Sequence, residues 1–550
     1  MILAPKKRLE EYTQKGWWGT TTLIDYFENN AKEFPEKIAV VDPYNKEELT
    51  GSSPERLTYE KFRKAIDSIA TALLDIGIEK DDIIIVQIPN CWELAALYFA
   101  IAKAGAITSP VPMQWRKKEL SYIASLTNAK LIITVQEFKG FKHKDLANEL
   151  MKEHSSIKNV LLYNNLRDML NVQPDYERLQ KVHIDANDIF TLCWTSGTEA
   201  DPKGCPLSHN NWINLALIQK ESVGLSEETT YITAGPLVNM AAIGTTYMPW
   251  ILHGGTFVLH HPFDFELYIK QIIQEKVQYT LMVPAIANII VKHPKSKEFD
   301  LSSLKHVTLG SAAPSLYTMQ EFKKRWNIDV GNIWGQNEGT GIIAGVKDVP
   351  DIEKRVDHFP FYGRPNTKWS SDLLNERIKL KLIDPATGKE VTNIGDVGEL
   401  AYKGPSVIPC YFKRPDITEN SFDEDGYFYT GDLFVIKDEK YIGFFERKKD
   451  IIVRGGFNIS TQEVENAILA HPKVVEVAVV GYPDEILGER ACAFVVPAPG
   501  EDITLEEICK FLEEQGLAKY KFPEKLKIID SLPRNPVGKI LKRELKKQLS

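Results

Sequence analysis

The chain has 550 residues, of which 43% are hydrophobic and 26% are charged. This length exceeds what a single hydrophobic core normally serves, so we expect a large domain and at least one smaller one. The formal net charge of −8 argues against nucleic acid as a partner. No stretch approaches the roughly 20 uninterrupted apolar residues that a membrane span requires, and the cysteines form no CxxC pair. These features predict a soluble, cytoplasmic protein with free thiols and no integral membrane association.

Apolar, β-branched runs alternate with helical patterns in the N-terminal part of the chain. Buried parallel strands are predicted at residues 83–88, 131–135 and 307–309. Residues 59–77 have the apolar spacing of an amphipathic helix. Such alternation is typical of layered α/β domains. The sequence therefore predicts a large N-terminal domain of layered α/β sheets.

After about residue 375 the sequence changes to short alternating segments separated by turn residues, which predicts a small β-rich, antiparallel subdomain. Past Lys449 it predicts a helix at residues 461–470, strands at 474–482 and 491–497, and two further helices. These elements form a small α+β domain of ordinary size. We therefore expect an N-terminal domain at residues 1–448 and a C-terminal domain at residues 449–550.

A loop rich in hydroxyls and glycine follows the apolar segment at residues 189–194. It runs from Thr195 through Ser196, Gly197 and Thr198 to Lys203. Backbone N–H groups and hydroxyls in such a loop can bind polyphosphate while a lysine neutralises charge. The Walker pattern G-x-x-x-x-G-K-[ST] is absent, and a loop of this composition is by itself more often an ordinary turn.

Further motifs follow in a fixed order. They are Trp334-Gly335-Gln336-Asn337-Glu338, Tyr429-Thr430-Gly431-Asp432, the segment from Glu446 to Asp450 continuing into Arg454-Gly455-Gly456, and the segment from Pro533 to Ile540. With the first loop they resemble the signature motifs of the adenylate-forming (ANL) superfamily, which includes acyl-CoA synthetases, adenylation domains of peptide synthetases and luciferases. The resemblance covers nearly the whole chain. Within the superfamily, the chain as a whole is similar to AMP-forming medium-chain acyl-CoA synthetases. Its opening residues are similar to the corresponding segment of ligases for alicyclic acids.

The resemblance implies a site for ATP and magnesium. The loop would hold the β- and γ-phosphates, Glu338 would ligate magnesium, Asp432 would bind the ribose hydroxyls, and Arg447 would support the ribose and phosphates. The residues assigned in this way to the nucleotide are Thr195, Ser196, Gly197, Thr198, Lys203, Ser311, Ala312, Ala313, Trp334, Gly335, Gln336, Asn337, Asp432 and Arg447.

The resemblance also implies two catalytic steps served by a mobile C-terminal domain. Lys539 corresponds to the lysine that bridges the substrate carboxylate and the α-phosphate, two anions that repel until a cation offsets them. Lys449 corresponds to the hinge about which the small domain rotates. After rotation, Gly455 and Gly456 would line the path of the pantetheine arm of coenzyme A, because glycine permits close approach to the backbone.

The sequence departs from the family pattern at several positions. Glu199-Ala200 replaces the second Thr-Gly of the phosphate loop, and Glu199 would repel phosphate unless it points away. Asn337 stands in place of a threonine, Glu446 in place of a glycine, and Asn239 where many relatives carry histidine.

The acyl pocket is assigned by the same resemblance to Asn239, Met240, Ala241 and Gly335. Acetate-specific relatives carry a tryptophan where this chain has Gly335, so the glycine leaves room for a larger acid. No cationic or acidic side chain is expected in the pocket. The implied substrate is a medium-chain or cyclic apolar carboxylic acid.

The expected function is that of an AMP-forming carboxylate:CoA ligase. It would form an acyl-adenylate from ATP and the acid and then transfer the acyl group to coenzyme A. The reverse direction, which makes ATP from acyl-CoA, AMP and pyrophosphate, is left open as well. One alternative is an acyl-AMP ligase that loads a carrier protein. The other is a non-catalytic acyl-adenylate binding protein, although Lys203, Arg447 and Lys539 are all present.

Overall fold

The computed structural model describes residues 1–195, 201–226, 229–365, 367–455, 457–534 and 540–549. Within these ranges the chain forms two compact units. Unit 1 holds residues 1–195 with Asp201–Lys379 and Lys403–Ser421, and unit 2 holds Leu380–Tyr402 and the described residues from Phe422 onward. This grouping does not test the domain boundary expected between residues 448 and 449, which stays a prediction.

The helices of unit 1 lie between and beside its strands. They are α1 (Lys6–Gln14), α2 (Leu23–Glu33), α3 (Lys46–Thr50), α4 (Tyr59–Asp75), α5 (Trp92–Lys103), α6 (Lys117–Thr127), α7 (His143–Glu153), α8 (Tyr163–Met169), α9 (Tyr176–Lys181), α10 (His209–Val223), α11 (Met240–Ala242), α12 (Met248–His253), α13 (Phe265–Gln274), α14 (Pro284–Lys292), α15 (Leu316–Trp326), α16 (Ile352–Arg355), α17 (Asp372–Arg377) and α18 (Pro415–Thr418). A π-helical turn at Ile243–Tyr247 joins α11 to α12, and a 3-10 turn lies at Ser296–Glu298.

Of the strands described in unit 1, all but the last form two sheets. The strands are β1 (Ile38–Val41), β2 (Arg56–Thr58), β3 (Ile83–Gln87), β4 (Ile107–Pro110), β5 (Leu131–Thr134), β6 (Asn159–Leu162), β7 (Ile189–Trp194), β8 (Gly204–Ser208), β9 (Thr230–Thr233), β10 (Thr256–Leu259), β11 (Tyr279–Met282), β12 (His306–Gly310), β13 (Asp329–Gln336), β14 (Thr340–Ala344) and β15 (Phe359–Pro360). One sheet has the order β6-β5-β3-β4-β7-β8 and the other β14-β13-β12-β11-β9-β10-β1-β2.

Parallel pairing dominates the interior of both sheets, and three of the four edge strands, all but β6, are antiparallel to their neighbours. Strand β3 pairs in parallel with β4 and β5, whereas β8 pairs antiparallel with β7. Strands β11 and β12 are parallel, and β14 is antiparallel to β13. Strand β3 is buried along its length because helices cover both faces of such sheets, which explains its uninterrupted apolar run. The predicted strands and the α/β fold class of this part are confirmed.

Unit 2 contains the β-rich and C-terminal elements. They are β16 (Lys379–Ile383), β17 (Val397–Lys403), β18 (Phe428–Ile436), β19 (Tyr441–Arg447), β20 (Ile452–Arg454), β21 (Phe457–Ile459), α19 (Thr461–Leu469), β22 (Val474–Asp484), β23 (Gly488–Pro497), α20 (Leu505–Glu514), a 3-10 turn at Lys519–Lys521, β24 (Lys525–Ile528) and α21 (Lys542–Lys546). Strands β16 to β19 lie side by side in sequence order, and β17, β18 and β19 pair antiparallel. Strands β20 to β24 form a separate sheet.

The alternation in β22 shows how the sequence builds the last sheet. Val477 and Val479 join a buried cluster with α19 and α20 on one face, while Ala478 and Val480 join a second cluster with Leu545 of α21 on the other. Successive side chains of a strand point to opposite faces, so a continuous apolar run serves a sheet that is covered on both sides. The predicted small α+β arrangement is confirmed.

Two expectations about the whole chain are tested by the described residues. The cysteines, all of which lie in the described ranges, are free. Among the described helices, none combines the length and apolarity needed to cross a bilayer.

A buried ion cluster in unit 1 ties β1 and α3 to α5. The side chains of Lys46, Asp42 and Glu93 are fully buried, and the Lys46 Nζ lies 2.7 Å from Asp42 Oδ2 and 2.9 Å from Glu93 Oε1. Arg167 adds a second cation, 3.1 Å from Glu93. Carboxylates removed from water in this way depend on their cations.

We expect Lys46→Met to lower the free energy of unfolding by about 3–5 kcal/mol, because it leaves two buried carboxylates without their nearest cation. Urea unfolding followed by circular dichroism measures the change. Lys6→Met is the control, since the side chain of Lys6 is 89% exposed and lies 3.7 Å from Glu10, a pair that contributes little. Equal unfolding curves for both variants would contradict the prediction.

Candidate active site

The ends of the predicted phosphate loop lie beside β7 and β8. Cys193 pairs with Cys205 and Trp194 with Gly204 in the antiparallel ladder. The backbone N–H of Thr195 donates to the carbonyl oxygen of Lys203 at 3.0 Å, and the N–H of Lys203 donates to Thr195 Oγ1 at 3.1 Å. The two ends of the loop are thus joined. The intervening calls on Ser196, Gly197, Thr198 and Glu199 lie outside the described residues.

Glu338 lies in the tight turn between β13 and β14. Gln336 pairs with Thr340 across the turn, and the Glu338 side chain is only 8% exposed. Gly339 has φ +83°, and a Cβ there would lie 2.0 Å from the carbonyl oxygen of Ser406. Glycine is therefore required at this position, both for the left-handed backbone and for the close approach of residue 406.

The segment at residues 404–412 packs against this turn and carries Tyr411. The Tyr411 hydroxyl donates to Glu338 Oε1 at 2.7 Å, and the Ile408 N–H donates to the Glu338 carbonyl oxygen at 3.0 Å. The Lys203 Nζ lies 4.9 Å from the centroid of the Tyr411 ring. Burial and the charge of Glu338 raise the pKa of Tyr411, so the phenol keeps its proton and acts as a donor.

Residues far away in sequence hold the 404–412 segment in place. Arg8 donates hydrogen bonds to the carbonyl oxygens of Gly404, Val407 and Ile408. Trp18 Nε1 donates to the carbonyl oxygen of Pro405 at 2.9 Å. These bonds satisfy backbone acceptors of an irregular segment that has no sheet partner of its own.

Asn337 connects the phosphate loop to the predicted acyl pocket. Its Oδ1 accepts from the backbone N–H of Met240 at 2.9 Å, and its Nδ2 donates to the carbonyl oxygen of Trp194 at 2.8 Å. Strand β7 ends at Trp194 and helix α11 begins at Met240. One amide side chain therefore fixes two backbone elements, a task that needs both its donor and its acceptor.

The predicted acyl-pocket residues Asn239, Met240 and Gly335 lie around the start of α11 and the end of β13. Asn239 is the N-cap of α11, and its Oδ1 accepts from the Ala242 N–H at 3.3 Å. A Cβ on Gly335 would lie 2.8 Å from Met240 Cε and 2.9 Å from the Thr340 carbonyl oxygen. The space beside Gly335 is therefore occupied by the methionine methyl. Ala241, the next residue, is half-buried.

A loop that carries three of the residues assigned to the nucleotide follows β12. Ser311, Ala312 and Ala313 are exposed, and Ser311 has φ +72°. A left-handed conformation is unfavourable for a residue with a Cβ, so the turn after Gly310 stores strain. Small side chains keep the backbone of this loop accessible.

In unit 2, Asp432 and Arg447 face each other across β18 and β19. They are register partners, and Arg447 Nε lies 3.3 Å from Asp432 Oδ1. Asp432 is 2% exposed. The neighbouring turn is held by Glu399, which accepts from the Gly431 N–H and from Lys448 Nζ, each at 3.0 Å.

Around the predicted hinge, Glu446 bonds to residues that lie beyond Lys449. Glu446 is 3% exposed, and its Oε2 accepts from the Gln462 N–H at 3.0 Å and from the Thr461 hydroxyl. The Lys449 side chain is exposed.

Gly455 has φ +56°, and its N–H donates to the Leu487 carbonyl oxygen at 2.8 Å. The assignments of Gly456 and Lys539 lie outside the described residues.

Glu338 has the chemistry expected of a magnesium ligand. Within the described residues, no group of three or more His, Cys, Asp or Glu side chains is arranged to hold a metal on its own. Magnesium commonly binds through one or two protein carboxylates together with substrate phosphates. A single buried carboxylate beside a phosphate loop fits that mode of binding.

The chain belongs to the AMP-binding enzyme family. The model of that family matches residues 27–412, and the model of the AMP-binding enzyme C-terminal domain matches residues 463–539. The chain is therefore an adenylate-forming enzyme of the ANL superfamily and uses ATP, which confirms the resemblance drawn from its motifs.

Individual relatives span the length of the chain. The medium-chain fatty-acid–CoA ligase of Escherichia coli (strain K12) is 30% identical over 556 residues, which cover 99% of this chain and 93% of that protein. The 2,3-dihydroxybenzoate-AMP ligase of Bacillus subtilis (strain 168) is 27% identical, covering 99% and 97%. The crystal structure of ATP-bound MatB from Rhodopseudomonas palustris has the same fold, with a TM-score of 0.82 at 24% identity over 96% of this chain and 99% of that chain.

We expect Asn337→Asp to slow acid-dependent pyrophosphate exchange about tenfold and to raise KM for the acid. The new carboxylate keeps the bond from Met240 but faces the Trp194 carbonyl oxygen without a donor, an unfavourable contact of about 1–3 kcal/mol. Asn332→Asp is the control, because Asn332 Nδ2 donates to the Val356 carbonyl oxygen at the same 2.8 Å. If the two variants lose equal stability and also show equal kinetics, Asn337 has no role in aligning the site.

Proposed function

We propose that this enzyme is an AMP-forming carboxylate:CoA ligase for a medium-chain or cyclic carboxylic acid. The observation that carries the adenylation step is the grouping of the buried Glu338 carboxylate with Tyr411 and Lys203. It supplies a carboxylate suited to magnesium and a cation suited to phosphate. The similarity to a medium-chain fatty-acid–CoA ligase over nearly the whole chain supports coenzyme A as the acceptor.

In the first step the substrate carboxylate attacks the α-phosphorus of ATP, and the bond to pyrophosphate breaks. Magnesium held by Glu338 and the phosphates would supply positive charge to the leaving pyrophosphate. We assign Lys203 and the loop from Thr195 to Thr198 to the same phosphates. Lys539 would offset the repulsion between carboxylate and α-phosphate. Asp432 and Arg447 would hold the ribose.

In the second step the thiol of coenzyme A attacks the acyl carbonyl and AMP leaves. We assign Gly455 and Gly456 to the path of the pantetheine arm and Lys449 to the hinge that brings them into use. Both steps are chemically reversible. In reverse, AMP would displace coenzyme A from the acyl group and pyrophosphate would then attack the acyl-adenylate, so the same residues would serve synthesis of ATP.

The acyl group would lie against an apolar wall formed by Met240 beside Gly335. The Met240 methyl, not a fixed ring, takes the space beside Gly335. Methionine is unbranched and adaptable, and it can withdraw to admit a ring or a chain of several carbons. This geometry favours an apolar acid larger than acetate.

The second candidate is an acyl-AMP ligase that loads a carrier protein. The similarity to a 2,3-dihydroxybenzoate-AMP ligase over nearly the full chain favours it. Both candidates share the adenylation step and differ in the thiol that accepts the acyl group.

We expect the wild type to release pyrophosphate with hexanoate, benzoate or cyclohexanecarboxylate more readily than with acetate, and to form the acyl-CoA. Lys539→Ala should lower acid-dependent pyrophosphate exchange by at least about 100-fold, because it removes the cation at the reacting oxygens. Isotope exchange measures adenylation, and chromatography detects the thioester. Lys181→Ala is the control, since Lys181 is 72% exposed and paired with Glu177.

Adenylation without thioester formation would replace coenzyme A by a carrier protein as the acceptor. Absence of pyrophosphate release with every acid of this panel would contradict the proposed class of acid and place the substrate outside the panel. Full activity of Lys539→Ala would show that another cation serves the first step.

We expect Met240→Ala to raise kcat/KM for decanoate relative to hexanoate about tenfold, because it removes the movable wall beside Gly335 and lengthens the pocket. Steady-state kinetics with the two acids give the ratio. Met319→Ala is the control, since Met319 is a fully buried core residue in another part of unit 1. An unchanged ratio in Met240→Ala would place the end of the pocket elsewhere.

A further inference from the structure

Tyr411 contacts two charged side chains of unit 1 that we assign to magnesium and the phosphates. Its hydroxyl donates to Glu338 Oε1 at 2.7 Å, and its ring faces the Lys203 Nζ at 4.9 Å from the centroid. We propose that Tyr411 is a positioning residue for the metal and phosphates, which fixes the Glu338 carboxylate for magnesium and the Lys203 ammonium for phosphate. This inference rests on the proposed function only in requiring that ATP binds with magnesium.

The first part of the argument is the geometry of the carboxylate. Glu338 is 8% and Tyr411 is 4% exposed, so few water molecules can orient the glutamate side chain. A phenol hydroxyl bonded to one carboxylate oxygen restricts rotation of the group. Partners of this kind around metal ligands commonly change metal affinity by about 10–100-fold when they are removed.

The second part is the position of the ammonium. The face of an aromatic ring attracts a cation within about 6 Å of its centroid. Lys203 is anchored through its backbone to Thr195 at the other end of the phosphate loop. The ring of Tyr411 therefore limits where the Lys203 side chain can extend, beside the loop that would wrap the phosphates.

The third part is that the backbone on both sides of Tyr411 is held by hydrogen bonds. The Phe412 N–H donates to the Gly204 carbonyl oxygen at 2.9 Å, directly after Lys203. The Ile408 N–H donates to the Glu338 carbonyl oxygen at 3.0 Å. The backbone of the 404–412 segment thus bonds to Gly204, which follows Lys203, and to Glu338. The Tyr411 side chain contacts the same Lys203 and Glu338.

A purely structural role for Tyr411 predicts a different result. It would make Tyr411→Phe less stable without a specific effect on metal binding. Tyr44 offers a matched control, because its hydroxyl donates to Glu275 Oε1 at the same 2.7 Å in unit 1. Tyr44→Phe removes a hydrogen bond of the same kind from a carboxylate that has no assigned role in the reaction.

The test is equilibrium binding of Mn²⁺ to the full chain, measured by electron paramagnetic resonance with α,β-methylene-ATP and without any acid. We expect Tyr411→Phe to weaken Mn²⁺ binding about tenfold and Tyr44→Phe to leave it unchanged. We also expect the magnesium concentration for half-maximal pyrophosphate exchange to rise about tenfold in Tyr411→Phe, with kcat recovered at saturating magnesium.

Glu338→Gln and the double variant with Tyr411→Phe give a second, independent measurement. If Tyr411 acts through Glu338, the double variant binds Mn²⁺ no more weakly than Glu338→Gln alone. Additive losses, an unchanged affinity in Tyr411→Phe, an equal loss in Tyr44→Phe, or no Mn²⁺ binding by the wild type would overturn the inference. Normal metal binding without thioester formation would instead overturn coenzyme A as acceptor and leave the role of Tyr411 standing.

Discussion

The interaction around which the Glu338 region is organised is the hydrogen bond that Tyr411 donates to the buried Glu338 carboxylate. A carboxylate with few waters around it needs protein donors, and Tyr411 is one of them. The segment that carries this tyrosine passes close to the turn at Gly339. A Cβ on Gly339 would lie 2.0 Å from the Ser406 carbonyl oxygen of that segment, so the turn has no room for a side chain. Much of the local structure of unit 1 near β13 follows from this single requirement.

Much of the fold could be predicted from the sequence because the signals are local. The uninterrupted apolar run of β3 indicates burial on both faces, and Phe62, Ile66 and Ile69 recur at helical spacing and are fully buried in α4. The motifs from Thr195 to Ile540, taken together, predict an adenylate-forming enzyme, since the identity of the residues and their order carry that information. The pairing of Asp432 with Arg447 follows from their antiparallel strands.

The contacts that refine the site could not be predicted, because they join residues remote in sequence. Tyr411 lies 73 residues from Glu338 and stands in no motif that we recognised. The resemblance assigns Asn337 to the nucleotide site and marks Glu446 only as a departure from the family pattern. In the structure Asn337 bonds to two backbone groups, and Glu446 bonds to the start of α19. Periodicity shows which residues are buried, but it does not show which partner each polar atom finds.

The contacts of Arg8 connect the N-terminal helix to this chemistry. Its guanidinium binds three carbonyl oxygens of the 404–412 segment, about 400 positions along the chain. Loss of those bonds would leave three carbonyl groups without this donor and would loosen the segment that carries Tyr411. Helix α1 therefore helps to fix the residues that contact Glu338.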